Sequence, residues 1–389
     1  MKSRAVGSLL LGLAFVLGPH QHITSAEHAA IGIGMTGRPA QFQRRESFIP
    51  GVPTTLNTPV SLTGAIAIPG DPLVSTDLLW VDQASERLFV ADRSNFGVDI
   101  IDAENDRYVG RVTGFVGPTD PRGGGPNGLL VTPDNKLWAG DGRSLTQVAD
   151  LSLNPPRIIR TIDTRGTNRA DELAYDPADH IILIGNDRET PPYATLISTD
   201  DYRIIGTIPF RDATGLEQPW WDSQLHRFLL NVPAPRSYIA VIDPKNLSVE
   251  KTYPTACGGG TGLVLGPFQR LLVACGLPYI MNAVNGSIIS TVTQVNSGDE
   301  VWYNSGDGQF YVTSTDNAGA TVLGVIDGLT GMWRQNVPAP GARNVSALAA
   351  NNHIFAAVRA PAAGVTDTTL CARFGIRDKG CVAVFTHGK

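Results

Sequence analysis

The stretch DLLWVDQASERLFVAD (residues 77–92) decides the fold, because its pattern recurs six more times in the 389-residue chain. Each copy is an apolar run, a polar turn and a second apolar run, which predicts two antiparallel strands joined by a turn. The other copies begin at Asn127, Asp171, Glu217, Thr261, Asp299 and Ser346, at intervals of 38 to 50 residues. Strand pairs at a period of about 40 to 50 residues are typical of a β-propeller.

Each repeat also carries two further strand patterns, such as YIAVIDPKN (238–246) and YRIIGTIPF (202–210). The predicted fold class is therefore all-β, a seven-bladed β-propeller over residues 59–389. The last copy ends with the third-strand run CVAVFTHGK (381–389), whereas LTGAIAIPG (62–70) resembles a fourth-strand run. We therefore expect the N-terminal strand to close the last blade, which removes a free sheet edge.

The N-terminus has the features of a secretory signal peptide over residues 1–26. Lys2 and Arg4 precede an apolar core over residues 5–17, which is too short to span a bilayer, and small residues follow at 24–26. A retained membrane anchor is the alternative. Residues 27–58 have no period and are predicted to be a flexible leader. The mature chain is thus expected to be periplasmic or extracellular, without a membrane span.

Charge and cysteine content restrict the partners and the compartment. The formal net charge is −5, and signal cleavage removes two basic residues, so the acidic mature chain argues against nucleic acid as a partner. Four cysteines in an exported chain favour disulfides, for which we expect Cys371–Cys381 and Cys257–Cys275. Four buried thiols are the alternative.

Polar residues at the start of each copy predict a ring at one end of the propeller channel. The innermost strands run along the axis, so equivalent positions lie side by side. The predicted ring contains Asp77, Asn127, Asp171, Glu217, Thr261 and Asp299, with Val345 or Ser346 in the last copy. Glu172, Gln218 and Glu300 follow directly behind it.

Several carboxylates around one opening repel each other unless something neutralises them. Ca²⁺ or another divalent cation is the simplest remedy, since it binds carboxylate and amide oxygens. The predicted metal ligands are Asp77, Asn127, Asp171, Glu217 and Asp299. A bound cation could activate water, with Glu172 or Glu300 as catalytic general base. The alternative is structural, because Asp and Asn at strand starts often cap turns by accepting hydrogen bonds from backbone N–H groups.

The runs IIDAENDRYVGRVTG (100–114), VIDPKNLSVEKTYPT (241–255) and VIDGLTGMWRQNVPA (325–339) resemble the repeat of bacterial YVTN/YncE-type β-propellers. The resemblance covers residues 60–389. It implies an exported seven-bladed propeller, and this family has no single activity.

A second resemblance is to the SMP-30/gluconolactonase group of divalent-cation-dependent lactonases. GPNGLLVTPDNKLW (125–138) and LEQPWWDSQLHRF (216–228) are similar to two of its ligand segments, and ADELAYDP (170–177) is similar to a third. The resemblance implies Asn127, Glu217 and Asp171 as metal ligands. That group has six blades and a different order of these segments.

The sequence is therefore consistent with two functions. The first is a monomeric, exported and non-catalytic propeller that binds a small-molecule or protein ligand at its central mouth. The second is a cation-dependent hydrolase of lactones or esters. Among the adjacent Trp220 and Trp221, one is expected in the core, and the other is a candidate to line a pocket.

Overall fold

The computed structural model describes residues 56–120, 123–255 and 260–388. Within these residues, twenty-eight strands form seven four-stranded sheets. Each sheet is one blade of a propeller, and this confirms the predicted all-β, seven-bladed architecture. The hairpin patterns that recur in the sequence become the two innermost strands of each blade.

The chain enters with β1 (Val60–Ile66) and then builds the blades in order. Blade 1 contains β2 (Thr76–Asp82), β3 (Arg87–Asp92), β4 (Gly97–Asp102) and β5 (Arg107–Thr113). Blade 2 contains β6 (Leu129–Thr132), β7 (Lys136–Asp141), β8 (Leu145–Asp150) and β9 (Arg157–Asp163). Blade 3 contains β10 (Leu173–Asp176), β11 (Ile181–Asn186), β12 (Tyr193–Ser198) and β13 (Ile204–Pro209).

Blade 4 contains β14 (Pro219–Asp222), β15 (Arg227–Val232), β16 (Tyr238–Asp243) and β17 (Ser248–Pro254). Blade 5 contains β18 (Gly260–Leu265), β19 (Arg270–Cys275), β20 (Tyr279–Asn282) and β21 (Ile288–Thr291). Blade 6 contains β22 (Val301–Asn304), β23 (Gln309–Thr315), β24 (Thr321–Asp327) and β25 (Trp333–Pro338). Blade 7 contains β26 (Ala342–Leu348), β27 (His353–Val358) and β28 (Cys381–His387). Short 3-10 helices span Arg93–Asn95, Gly142–Ser144, Pro267–Gln269 and Cys371–Phe374.

Strand β1 is the outermost strand of the seventh sheet, whose order is β1-β28-β27-β26. Its pairing with β28 is antiparallel and runs from Val60 opposite His387 to Ile66 opposite Val382. Both ends of this pairing are buried in one apolar cluster, which also contains Val384 and Phe385. The first and last strands of the propeller are therefore held in one sheet.

Burial follows the position of a strand within its blade. The second strands are almost wholly buried, as in β11 and β27, because apolar side chains on both faces contact neighbouring blades. The outermost strands β5 and β9 alternate between exposed and half-buried positions. The core consists of layers of apolar side chains between neighbouring blades. Leu183, Phe228 and Ile242, for example, lie in the layer between blades 3 and 4. Each such buried side chain contributes about 1.5–3 kcal/mol.

Aspartates hold the turns between the first and second strands. Asp82, Asp176 and Asp222 each accept hydrogen bonds from backbone N–H groups two or three residues later. These turn-capping residues are at the ends of the innermost strands. The ring predicted from the sequence is at their beginnings, so turn capping and the ring use different residues.

The chain between β27 and β28 is far longer than the corresponding connections in the other blades. It contains Cys371, which forms the predicted disulfide with Cys381. Cys257 lies outside the described residues, and so does the expected Cys257–Cys275 bond.

The predicted signal peptide and most of the predicted leader also lie outside the described residues. Leu56, near the end of that leader, donates its N–H to the carbonyl of Asp307 and accepts a hydrogen bond from Gln309. In the part of the chain that the structure describes, no helix is long and apolar enough to cross a bilayer.

Candidate ligand site at the central mouth

Strand register defines which residues are equivalent around the channel. Trp80 pairs with Phe89, Trp302 with Tyr311, and Ser346 is in the same position opposite Phe355. In each blade, the residue three positions before the equivalent of Trp80 begins the innermost segment. These seven residues, here called the mouth ring, are Asp77, Asn127, Asp171, Glu217, Thr261, Asp299 and Arg343.

The structure corrects the seventh ring position. Val345 and Ser346, expected from the sequence, lie deeper in the channel, because β26 begins before the recognisable apolar run. Its register is irregular between Ala342 and Val345, as is that of blade 1 between Thr76 and Leu79. Arg343 takes the ring position, so the ring has a cation where the sequence predicted a neutral residue.

Arginines neutralise the ring. Arg343 contacts its ring neighbour Asp299, with 2.6 Å between Nη2 and Oδ2. Arg93, the first residue after β3, forms an ion pair with Asp77, and its Nε donates to Asn127 Oδ1 at 3.0 Å. The guanidinium therefore bridges blades 1 and 2.

A third arginine forms ion pairs with acidic residues of blade 3. Arg169 precedes β10, and its Nη2 lies 2.5 Å from Asp171 and 2.8 Å from Asp187. These contacts raise the pKa of Arg169, although burial opposes them. Burial raises the pKa of Asp171 well above its usual range, and the Arg169 guanidinium opposes that shift. The Arg169–Asp171 ion pair is therefore buried.

A fourth arginine, Arg359, follows β27 and donates to the Thr76 carbonyl at 2.8 Å. Burial lowers its pKa, and the neighbouring Arg343 and Arg93 lower it further, while Asp77 and Asp299 oppose them. Positive and negative groups thus interleave around this half of the mouth.

Within the described residues, the Glu217 side chain forms no ion pair with an arginine. Burial, followed by the negative charge of Asp187, raises its pKa to about 8, and Arg169 partly offsets both. At neutral pH much of the Glu217 population is therefore protonated and able to donate a hydrogen bond.

A second level of the channel lies directly behind the mouth ring. Its members are Leu78, Gly128, Glu172, Gln218, Gly262, Glu300 and Asn344. Burial raises the pKa of Glu172, and the charge of Glu300 raises it further. Burial likewise raises the pKa of Glu300, with Asp77 and Asp299 as further causes. The Oε2 atoms of both glutamates lack a hydrogen-bond partner among the described residues.

Aromatic rings occupy the third level of the channel. Trp80, Trp220 and Trp302, here called the tryptophan cluster, contact one another with ring centroids 5.4 to 6.5 Å apart. They come from blades 1, 4 and 6, so the rings meet across the axis. The tryptophan cluster therefore narrows the channel between the mouth and its opposite end.

An open pocket adjoins the mouth ring between blades 5 and 7. Its volume is about 410 Å³, and its lining includes the ring members Thr261, Asp299 and Arg343. Hydroxyl groups supply most of the remaining polar lining: Ser297, Thr313, Ser314, Thr315 and Thr321. We call it the hydroxyl pocket. Its combination of one cation, one carboxylate and many hydroxyls suits a small polar molecule.

The fold brings together the predicted ligand residues Asp77, Asn127, Asp171, Glu217 and Asp299 at one mouth. Over residues 56–120, 123–255 and 260–388, no three His, Cys, Asp or Glu side chains form a cluster that could hold a metal ion. Asn127 uses its amide nitrogen to donate to the Ala170 carbonyl at 2.7 Å. Ca²⁺ binding at the ring stays a prediction.

The sequence reasoning missed the four arginines. Their signal was present, because Arg93 and Arg359 each directly follow the second strand of a copy, and Arg169 stands two residues before Asp171. Arg93 and Arg359 occupy equivalent positions in blades 1 and 7, but the other five copies have no arginine there, so the position does not stand out in the repeat.

Comparison with known proteins supports the fold alone. No protein family model matches the chain, and no curated protein matches it. A chain in the structure described as "Crystal Structure of Mitotic Checkpoint Complex" superposes with a TM-score of 0.62 at 12% identity. The match covers 86% of this chain and 96% of that chain. The two therefore share an architecture, and their identity is too low to transfer a function.

Proposed function

We propose that this protein is an exported, non-catalytic β-propeller of the YVTN/YncE type that binds a small hydroxylated ligand at its mouth. The observation that carries the proposal is the hydroxyl pocket, which shares Thr261, Asp299 and Arg343 with the mouth ring. A propeller fold hosts many functions, so the site rather than the fold supports this choice.

The ion pairs of the mouth differ in exposure. The side chains of Arg169 and Asp171 are 13% and 4% exposed, whereas those of Arg343 and Asp299 are 46% and 31% exposed. An exposed ion pair contributes only about 0–1 kcal/mol, so a ligand can replace it at little cost. Arg343 is therefore available to an anionic group of the ligand.

Hydroxyl groups of the ligand find partners beside this pair. Thr261 and Ser314 donate to backbone carbonyls and keep lone pairs that can accept from a ligand. A hydroxylated carboxylic acid, such as a sugar acid, combines the two features that the pocket can recognise. The disulfide Cys371–Cys381 supports export, because such bonds persist in oxidising compartments.

Titration calorimetry with gluconate, galacturonate and the matching neutral sugars tests the proposal. We expect a sugar acid to bind wild type, and Arg343→Ala to weaken binding about tenfold or more, since a charged hydrogen bond contributes about 1.5–3 kcal/mol. Arg334→Ala is the matched control, because Arg334 is similarly exposed and pairs with Asp327 outside the channel. Equal loss in both variants, or no binding by wild type, contradicts the proposal.

The cation-dependent lactonase or esterase is the second candidate. The buried position of Glu172 and Glu300 directly behind the ring favours it, because burial raises the pKa of both carboxyl groups from their usual value toward the range useful for proton transfer. Metal analysis of the purified protein and lactone hydrolysis with added Ca²⁺ test this candidate. Bound calcium and hydrolysis that both disappear in Asp171→Asn would favour it over the binding protein.

A further inference from the structure

A cavity lies beside the tryptophan cluster and extends from the second level of the channel, at Leu78 and Gln218, toward the ends of the innermost strands. Its volume is about 220 Å³. The innermost strands of blades 1 to 4 form its walls, with Trp80, Leu130, Ala174, Tyr175, Trp220 and Trp221 among the lining residues. We call it the axial cavity.

The register explains why this cavity exists. Trp80, Trp220 and Trp302 occupy the third level of the channel in blades 1, 4 and 6. The equivalent residues in blades 2 and 3 are Leu130 and Ala174. Since an alanine replaces a tryptophan-sized side chain next to the axis, space remains beside the rings.

The chemistry of the walls favours an apolar occupant. Four lining residues are aromatic, and no charged side chain contributes to the lining. Trp80, Trp220 and Trp221 are only half-buried, so their rings remain reachable from solvent. An apolar cavity of about 150 Å³ is large enough to hold benzene. A cavity of 220 Å³ therefore has room for a substituted single ring.

We propose that the axial cavity is a binding site for a small neutral aromatic molecule, distinct from the mouth. Aromatic pairs gain about 0.5–1.5 kcal/mol beyond the apolar area that they bury, so the tryptophan walls select an aromatic ring over an aliphatic one. A cation would gain cation–π contacts with the tryptophan rings, but it would also have to lose water without any carboxylate in the lining to compensate it. The site is thus selective for uncharged rings.

The lining also contains one unused polar group. The indole Nε1 of Trp80 lacks a hydrogen-bond partner in the described part of the chain. A buried donor without an acceptor is destabilising. A phenolic oxygen on the ligand would supply an acceptor, which makes p-cresol a suitable probe.

Calorimetry and tryptophan fluorescence with p-cresol test the proposal, with cyclohexanol and tetramethylammonium as comparison probes. We expect p-cresol to bind wild type at least tenfold more tightly than either comparison probe. Ala174→Leu should weaken p-cresol binding at least tenfold, because it fills the cavity with the residue that blade 2 has at the same position. Ala84→Leu is the control, since Ala84 is an exposed turn residue.

Two further variants keep the test decisive. If Ala174→Leu does not fold, Trp221→Leu removes an aromatic wall and should weaken p-cresol binding by a similar factor. Arg343→Ala should leave p-cresol binding unchanged, which separates this site from the proposed mouth site. Unchanged binding in Ala174→Leu or Trp221→Leu, tighter binding of tetramethylammonium, or no p-cresol binding by wild type would overturn the proposal.

Discussion

Replacing the two buried glutamates of the second level by glutamine should change how stability depends on pH. Glu172 and Glu300 have folded-state pKa values raised well above their usual value of 4.5. Above pH 4.5 the unfolded chain loses these protons, whereas the folded protein retains them. The unfolded state then binds fewer protons, so the free energy of unfolding falls as pH rises.

The size of the effect follows from the number of protons. Each retained proton makes the free energy of unfolding fall by about 1.4 kcal/mol per pH unit until pH reaches the folded-state pKa. Glutamine cannot titrate, and Gln218 already occupies the same level in blade 4. Glu172→Gln should therefore become more stable relative to wild type as pH rises from 5.5 to 7.5, by at most about 1.4 kcal/mol per pH unit, and the double variant should gain more than either single variant.

Denaturant unfolding at pH 5.5, 6.5 and 7.5 measures these differences. Glu104→Gln is the control, because Glu104 is exposed, and its pH dependence should equal that of wild type. If the free energy of unfolding of a variant differs from that of wild type by the same amount at every pH, the difference reflects packing and not proton binding. If Glu172→Gln and Glu300→Gln follow the wild-type pH dependence in parallel, the two carboxyl groups are ionised in the folded protein, and the reasoning fails.

Three further changes test other parts of the structure. Arg169→Ala should lower the free energy of unfolding by about 3–5 kcal/mol, because it leaves Asp171 and Asp187 buried without their cation; thermal unfolding measures this, with the exposed Arg203→Ala as an unchanged control. Reducing Cys371–Cys381 or replacing both cysteines by serine should cost about 2–3 kcal/mol, measured by denaturant unfolding, since the bond closes a loop of ten residues. Ile66→Asp should destabilise the protein strongly and increase proteolysis of β28, because Ile66 is buried opposite Val382; equal proteolysis of wild type and variant would contradict the role of β1.

The repeat made most of the architecture predictable. Seven copies of a strand hairpin led to seven blades, since every copy obeys the same alternation of apolar residues and turns. The mouth ring was predictable at six positions for the same reason. Its seventh position was not, because the last copy has Leu348 where Asp176 and Asp222 mark the start of the turn in other copies, so an alignment on the turn is shifted there.

The counter-charges of the mouth could not be derived from the repeat. Arg93, Arg169 and Arg359 lie in connections whose length and sequence differ between blades. Their meeting with the acids depends on contacts between blades, as when Arg93 reaches Asn127. The sequence predicted that a divalent cation neutralises the acids, and this stays a prediction; the structure places guanidinium groups at three of them.

The axial cavity was likewise predictable from the sequence only in part. The sequence predicted one of Trp220 and Trp221 in the core and the other as a candidate to line a pocket, whereas both line the axial cavity. Its origin lies in Ala174, an ordinary strand residue until the register places it level with Trp80 and Trp220. Residues so far apart in the chain can be compared only once each strand has been aligned on its partner.

A high-resolution crystal structure of the mature protein grown with Ca²⁺ and a sugar acid tests most directly how the mouth is organised. We expect the guanidinium groups of Arg93, Arg169 and Arg343 between the ring acids, and the sugar acid in the hydroxyl pocket with its carboxylate on Arg343. A calcium ion held by Asp77, Asp171 and Asp299, with the arginines turned away, would contradict this arrangement.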